Sequence, residues 1–457
     1  MNRVTKRSWL MGLFILLLLG GMGFFVLEYM VKADKWVVSP GSPHVFKGSN
    51  LGTGTVVDRD NVVLLDVEEE RKYSDNAQTR ASTMHWLGDR QGSIQAGAVG
   101  SYAAIMSGYD KVNGLYDFSG SGGVEKLTLS ARVQNAALTA LNGRKGTVGI
   151  YNYKTGEILC AVTSPTYDPD NVPDIEGDTS GKFEGVYLNR FLQSSYVPGS
   201  IFKVVTTATA LECVPDIESK TFYCDGSYEY GTEAVTCETA HGTLDLKGAL
   251  AHSCNCSFAQ IAQLVGRKNM EKYVKKFGIT QSVSFDGVTS AVGNYDISNT
   301  GGASFAWSCI GQHSDLINPA RFMTFMGTIA NGGKGVEPFL VSSVARGEEM
   351  VYEAKANATD RIMSQTTAEK LQSYLRNNVQ IIYGDGHFPG LTVCAKSGTS
   401  QLGGGQKSNA MFSGFLLDEK YPLAFIVVVE NGGYGSATCV PVLAPVLQEC
   451  RAVLDGN

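Results

Sequence analysis

Hydrophobic and polar positions divide the chain into three stretches of different rhythm. The first is one uncharged apolar run from Trp9 to Leu27, preceded by Arg3, Lys6 and Arg7. As a helix rising 1.5 Å per residue it would span about 28 Å, against roughly 30 Å of bilayer hydrocarbon, so it predicts a single membrane crossing. The second stretch, from about Trp36 to Lys126, alternates short β-like pieces with polar and glycine-rich segments. Its clearest piece, GTVVDRDNVVLLD from Gly54 to Asp66, predicts a hairpin turning at Asp60-Asn61 between two valine-rich strands. FSGSGGVEK, Phe118 to Lys126, reads as a linker at a domain boundary.

From Leu127 onward the pattern becomes regular. LTLSARVQNAALTALNG predicts an amphipathic helix with Ser130 available as N-cap, ending near Gly143. Two strands joined at Lys154-Thr155-Gly156 follow. Helical periodicity then recurs near Lys203, after Asp245, and at Met270–Phe277, Pro319–Ala330 and Thr367–Val379. LTVCAKSGTS, AMFSGFLL and PLAFIVVVE read as three late strands, and a last helix runs from about Val440 to Leu454. A strand pair first, helices between and strands last predict an α+β fold: a central antiparallel sheet flanked by helices, drawn from both ends of the segment.

Composition narrows the picture. With 43% hydrophobic and 18% charged residues over 457 positions, the chain is globular and long enough for one large domain and a smaller one. A net charge of -6 leaves no basic footprint, so no nucleic-acid partner is expected. The basic residues before Trp9 place residues 1–8 in the cytoplasm and everything after about residue 30 outside, with residues 9–27 as anchor. The competing reading is a cleaved signal peptide with Val31-Lys32-Ala33 at the cut, but such apolar cores are usually shorter. Among ten cysteines, Cys224 and Cys237 flank a polar glycine-containing loop and are the candidate disulfide; separate thiols are the alternative. No Cys-x-x-Cys pair or histidine cluster has zinc-ligand spacing, so neither metal nor cofactor is expected.

The candidate chemistry lies in SSYVPGSIFKVVTTATALE, Ser194 to Glu212. Ser200 follows Pro198-Gly199, precedes Lys203 by three residues, and opens a predicted helix, so hydroxyl and amine share one face. The helix N-terminus adds free N–H groups that favour an oxyanion. Ser-x-x-Lys alone is weak, since about two are expected by chance in this length. Ser253-Cys254-Asn255 sits at a predicted junction between helices, and Lys396-Ser397-Gly398-Thr399 ends an apolar strand. A Lys-[Ser/Thr]-Gly-Thr tetrapeptide is expected only about 0.02 to 0.05 times, so the ordered trio is not coincidence.

This set resembles the penicillin-recognising serine acyltransferases, and more narrowly the class B penicillin-binding proteins, monofunctional peptidoglycan D,D-transpeptidases. GTVVDRDNVVL is similar to the family's early Asp-Arg motif, with Asn61 where glycine is usual. KTGEILCAVTSPTYDPDN, YLNRFLQSSYVPGSIFK, SCNCSF and ENGG are similar to its transpeptidase segments. The resemblance covers about residues 50 to 457 and is strongest from 127. It implies a β-lactamase-like transpeptidase domain over 127–457 and a small β-rich pedestal-like module over 36–126.

The resemblance also implies roles. Ser200 would attack the D-alanyl-D-alanine carbonyl with Lys203 as base, Ser253 would relay the proton to the departing D-alanine, and Asn255 would orient the stem peptide or the lysine. Lys396 would supply positive charge at the site's far edge, and the Ser397 and Thr399 hydroxyls would bind the terminal carboxylate. The backbone N–H groups of Ser200 and Thr399 would form the oxyanion hole, with Gly398 letting the strand approach. The implied partners are peptidoglycan stem peptides, β-lactams and, with no glycosyltransferase segment in view, a separate membrane glycan polymerase. Alternatives on this scaffold are a D,D-carboxypeptidase, a serine β-lactamase, or a non-enzymatic penicillin sensor or scaffold. Cys254, Cys256 and Cys394 read as packing residues, His252 as no partner for Ser200, and Trp307, Phe322 and Phe415 as core.

Overall fold

A computed structural model describes the chain apart from residues 1, 39–41, 43–44, 48–49, 52, 68–69, 110–111, 113–121, 299 and 402–404. The domain that holds the site is built around six helices and five strands, and one long helix precedes them. The helices are α1 (Asn2–Val37), α2 (Ala131–Leu141), α3 (Lys203–Cys213), α4 (Asn255–Val265), α5 (Pro319–Ala330), α6 (Gln365–Asn378) and α7 (Gly435–Leu454). The strands are β1 (Gly146–Asn152), β2 (Ile158–Ser164), β3 (Val393–Ser400), β4 (Asn409–Leu416) and β5 (Leu423–Val429). They form one antiparallel sheet in the order β3-β4-β5-β1-β2. The strands from both ends of the segment meet where β5 pairs with β1.

Why β5 reads as an unbroken apolar run is explained by its place: every residue of LAFIVVV is buried, because both faces of the sheet are covered. Phe425 and Val427 join Val148 and Ile150 in a cluster under α2 and α7, while Ala424, Ile426 and Val428 face the larger cluster under α3 and α5. α7 is apolar enough to pass for a membrane span, with a mean hydropathy of 1.3, but 39% of that window is buried against the sheet, so it is a core helix. α1 differs: its stretch Arg3–Ala33 has a mean hydropathy of 2.5 and none of its most apolar window is buried. It is long and apolar enough to cross a membrane, and the helix continues ten residues past Leu27 to Val37.

A second sheet of six strands runs in the order Glu349–Glu353, Val341–Arg346, Val124–Leu127, Thr55–Val57, Val63–Asp66, Lys72–Tyr73. The hairpin of residues 54–66 is present, with Asn61 at φ 65° in its turn. The linker expected at Phe118–Lys126 is corrected at its end. Val124–Leu127 is a strand, parallel to Thr55–Val57 and antiparallel to Val341–Arg346, with Glu125 and Leu127 buried at the period of two. Phe118–Ser121 lie outside the described residues. This sheet therefore draws strands from both sides of residue 127.

The Asp-Arg motif has a structural job. Asp58 is fully buried, and its carboxylate accepts the Asp60 and Val62 N–H groups at 2.8 Å each and the Ala131 N–H at 2.9 Å. It thus ties the hairpin to the first turn of α2. Ser130 occupies the N-cap position of α2, but its hydroxyl makes no capping bond, and the first N–H of the helix, that of Ala131, goes to Asp58 instead.

Candidate active site

Ser200 lies in a short 3-10 turn, Gly199–Phe202, that leads directly into α3, so the predicted helix opens one turn later than expected. Gly199 is required there twice over. Its φ is +56°, and a Cβ on it would stand 2.6 Å from the Thr399 carbonyl oxygen. Its N–H is held by the Gly311 carbonyl at 2.8 Å. The turn is therefore pressed against β3, which carries Lys396 to Thr399.

Lys203, the first residue of α3, is fully buried. Its Nζ lies 3.2 Å from Ser200 Oγ, 2.6 Å from the Ser253 carbonyl, 3.1 Å from Ser253 Oγ and 2.7 Å from Asn255 Oδ1. The junction before α4 delivers the last three through Ser253, whose φ of 54° is unusual for a residue with a side chain. Lys396 Nζ donates to Ser253 Oγ at 3.1 Å and to the Ser397 carbonyl at 2.9 Å. Ser253 Oγ thus bridges two buried amines. Lys396 does not stand at the far edge of the site, as the sequence suggested; it is fully buried behind Ser253, because its strand position points under the junction rather than into solvent.

Burial, and then repulsion from Lys396, push Lys203 down to about 7. Burial alone lowers Lys396 to about 7. Among the described residues, neither amine has an acidic side chain as hydrogen-bond partner. A neutral Lys203 beside Ser200 Oγ is the state needed to accept a proton.

Ser200, Ser253, Asn255, Ser397 and Thr399 line one open cavity of about 430 Å³. Gly398 brings β3 against the turn, since a Cβ there would meet the Pro198 carbonyl oxygen at 2.8 Å. β3 is the outermost strand of its sheet, and it borders this cavity through Ser397 and Thr399, with Gln401 just past its end. Four residues were missed in the sequence. Tyr383 accepts the Ser397 N–H at 2.9 Å, and its hydroxyl is 3.0 Å from Ser397 Oγ. Gln312 donates to the Thr399 carbonyl at 3.2 Å, and the Gly435 N–H donates to Thr399 Oγ1 at 3.1 Å. Trp307, read as core, is partly buried and lines the cavity, whereas Phe322 and Phe415 are core. No local pattern announces these contacts, because each partner arrives from a separate element.

Cys394 is buried in β3, and burial raises its thiol. Cys224 and Cys237 are free thiols that share a small cluster with His241 and Cys254, rather than forming an isolated pair. His252 is exposed at the cavity mouth, with its ring 5.7 Å from that of His241.

A family profile described as the penicillin binding protein transpeptidase domain matches residues 146–448, about two thirds of the chain. The chain belongs to the penicillin-binding protein transpeptidase family. Among similar relatives of the family, the peptidoglycan D,D-transpeptidase PbpA of Mycobacterium tuberculosis (strain H37Rv) is 28% identical over 366 residues, covering 73% of this chain and 72% of that protein. Stage V sporulation protein D of Bacillus subtilis (strain 168) is 23% identical over 415 residues, covering 85% of this chain and 60% of that one. The fold is similar to the D,D-transpeptidase domain of a peptidoglycan glycosyltransferase from Eggerthella lenta, with a TM-score of 0.74, 26% identity, and coverage of 88% of this chain and 98% of that one. It is also similar to penicillin-binding protein A from M. tuberculosis in its penicillin G acyl-enzyme complex, with a TM-score of 0.74, 23% identity, and coverage of 87% and 99%. Ser200, Lys203, Ser253, Asn255 and Lys396–Thr399 all fall inside the family match.

Proposed function

We propose that Ser200 is the nucleophile with which this peptidoglycan D,D-transpeptidase takes an acyl group from a D-alanyl-D-alanine stem peptide and passes it to the amine of a neighbouring stem. The observation that carries the reading is the buried Lys203 Nζ, 3.2 Å from Ser200 Oγ and 3.1 Å from Ser253 Oγ, with Lys396 3.1 Å behind that same hydroxyl. Neutral Lys203 takes the Ser200 proton as Oγ bonds to the D-alanine carbonyl carbon. The Ser200 and Thr399 N–H groups hold the resulting oxyanion. As the C–N bond breaks, the Ser253 hydroxyl passes a proton to the departing D-alanine amine and is resupplied from the lysines. The acceptor amine then attacks the ester carbonyl, loses its proton by the same route, and frees Ser200. A β-lactam enters this path at the first step and stays as the acyl-enzyme.

The Ser397 and Thr399 hydroxyls, which line the cavity beside Ser200, support binding of the stem's terminal carboxylate there. Asn255 keeps Lys203 in place through its Oδ1 while its Nδ2 is spent on the Thr236 carbonyl at 3.0 Å. In this reading α1 anchors the chain with its basic end in the cytoplasm, and residues 36–126 serve as a pedestal below the domain. A membrane glycan polymerase supplies the strands that are joined. The experiment is a reaction of the purified full chain with stem pentapeptides that carry a free acceptor amine. D-alanine release together with peptide dimers is expected; D-alanine without dimers overturns the reading in favour of a carboxypeptidase.

A further inference from the structure

Four metal-ligating side chains converge just behind the Ser253 junction. The Sγ atoms of Cys224, Cys237 and Cys254 and a ring nitrogen of His241 all lie within 4.8 Å of one another. His241 Nδ1 is 3.4 Å from Cys237 Sγ and 3.7 Å from Cys224 Sγ, and the Cys237 and Cys254 sulfurs are 4.0 Å apart. Zinc bonds of about 2.3 Å to sulfur and about 2.0 Å to nitrogen make tetrahedral edges of roughly 3.8 Å between sulfurs and 3.6 Å from sulfur to nitrogen. These three separations lie within about 0.2 Å of the tetrahedral edges.

We propose that Cys224, Cys237, His241 and Cys254 bind one zinc ion, which clamps the Ser253-Asn255 junction to the neighbouring hairpin and so positions the groups around Lys203. The ligands come from three places. Cys224 ends a strand, Phe222–Cys224, that pairs with Gly242–Leu244, and this pairing brings His241 beside it. Cys237 closes the hairpin of Ser227–Tyr230 and Glu233–Thr236. Cys254 lies between Ser253 and Asn255 at the start of α4. The sulfurs are furnished with donors that suit anionic ligands. The Asn255 N–H points at Cys237 Sγ at 3.3 Å, and the Ser257 N–H and hydroxyl point at Cys254 Sγ at 3.4 and 3.1 Å.

Four protein ligands leave no open position, so the ion is structural and takes no part in acyl transfer. Binding exchanges three thiol protons, released to solvent, for one zinc ion, with His241 neutral and bonded through Nδ1. What the ion secures is the backbone on either side of Cys254: Ser253 in its left-handed conformation and Asn255 at the head of α4. The sequence spacing hid this site because the ligands meet only after the hairpin has folded back. A Cys224–Cys237 disulfide, the pairing suggested by the loop, would consume two of the four ligands.

The test uses the full chain purified in detergent with zinc supplied, passed over a chelating resin and analysed for metal and for X-ray absorption at the zinc edge. About one zinc per chain is expected, with three sulfur neighbours at about 2.3 Å and one nitrogen at about 2.0 Å. Cys224→Ser with Cys237→Ser should lose the metal, while Cys213→Ser, outside the cluster, should keep it. Because Cys224 is buried and its loss also perturbs packing, the wild-type protein decides the matter. A metal-free wild type after exposure to zinc, with either a Cys224–Cys237 disulfide or alkylatable thiols in non-reducing mass spectrometry, overturns the site. Removing zinc should slow acylation by a fluorescent penicillin, and returning zinc should restore it; a chelated protein that acylates at the original rate overturns the clamp. The metal content is read without any transpeptidase assay, so failure of this proposal is distinguishable from failure of the functional reading.

Discussion

Gly398→Ala tests the contact between β3 and the Ser200 turn on which the proposed oxyanion hole depends. A Cβ at residue 398 would lie 2.8 Å from the Pro198 carbonyl oxygen, 3.0 Å from Ile201 Cγ2 and 3.2 Å from the Ile201 nitrogen. Relief to ordinary contact of roughly 3.5 Å requires a movement of about 0.5 Å, after the neighbours have shared the strain. Two of the three obstacles are backbone atoms of the turn itself, so the turn and the strand must separate. The Ser200 and Thr399 N–H groups sit on the two sides of that gap, and a useful oxyanion donor must reach its oxygen within about 2.7 to 3.1 Å. Misplacement by about 1 Å costs on the order of a hundredfold, so half of that should cost about tenfold, or roughly 1.4 kcal/mol of barrier. The assay is the second-order rate of acylation by a fluorescent penicillin, followed alongside thermal unfolding. Gly386→Ala is the control, since nothing lies within 4 Å of a Cβ there. Acylation of Gly398→Ala at the wild-type rate, in a folded protein, would refute the claim that backbone approach sets the hole.

Three further outcomes follow from the geometry. With Lys203 lowered to about 7 by burial and by Lys396, the acylation rate should rise about tenfold per pH unit below that point and level off above it. Lys203→Arg, which stays charged, should lose acylation at every pH; a flat profile in the parent enzyme would contradict the base assignment. Asp58→Ala strands the Ala131, Asp60 and Val62 N–H groups and should lower stability by about 2 to 3 kcal/mol, seen as a lower denaturation midpoint with acylation retained in the folded fraction. Glu125 is fully buried with no hydrogen-bond partner for either oxygen among the described residues, and burial, then Asp286, raises its carboxyl well above the ordinary 4.5. Protonation is thus favoured in the fold: its stability is complete below pH 4.5 and is lost as pH rises toward the folded value. Glu125→Gln should therefore raise the melting temperature at pH 8 and leave it nearly unchanged at pH 4; equal shifts at both would contradict this.

The three motifs that meet at the cavity were legible because each is local and each sits where a turn, a helix junction or a strand end must place it. Gly199 and Gly398 carry their reasons in the sequence, since only a residue without Cβ permits such backbone contact. The central sheet was legible for a related reason: runs such as LAFIVVV have no polar face to show, and only strands buried on both sides fit them. Other features depend on where distant elements cross. Lys396 sits at a strand position whose burial is fixed by the α4 junction, and Tyr383 reaches Ser397 from the turn after α6. Val124–Leu127 was hidden by the glycines before it, because four residues of alternating burial are too short a signal beside GSGG. Along the chain Cys254 reads as a packing residue and Cys224 with Cys237 as a candidate disulfide, and only the folded hairpin sets the three around a common centre with His241.

The central claim is that Ser200 is the acylated residue and Lys203 its activating neighbour. The most direct measurement is intact-protein mass spectrometry with a fluorescent penicillin, followed by peptide mapping of the adduct, on the parent chain and on Ser200→Ala. One adduct per chain on the Ser200 peptide, and none on the folded Ser200→Ala protein, is the predicted result; covalent label persisting in Ser200→Ala would contradict the account.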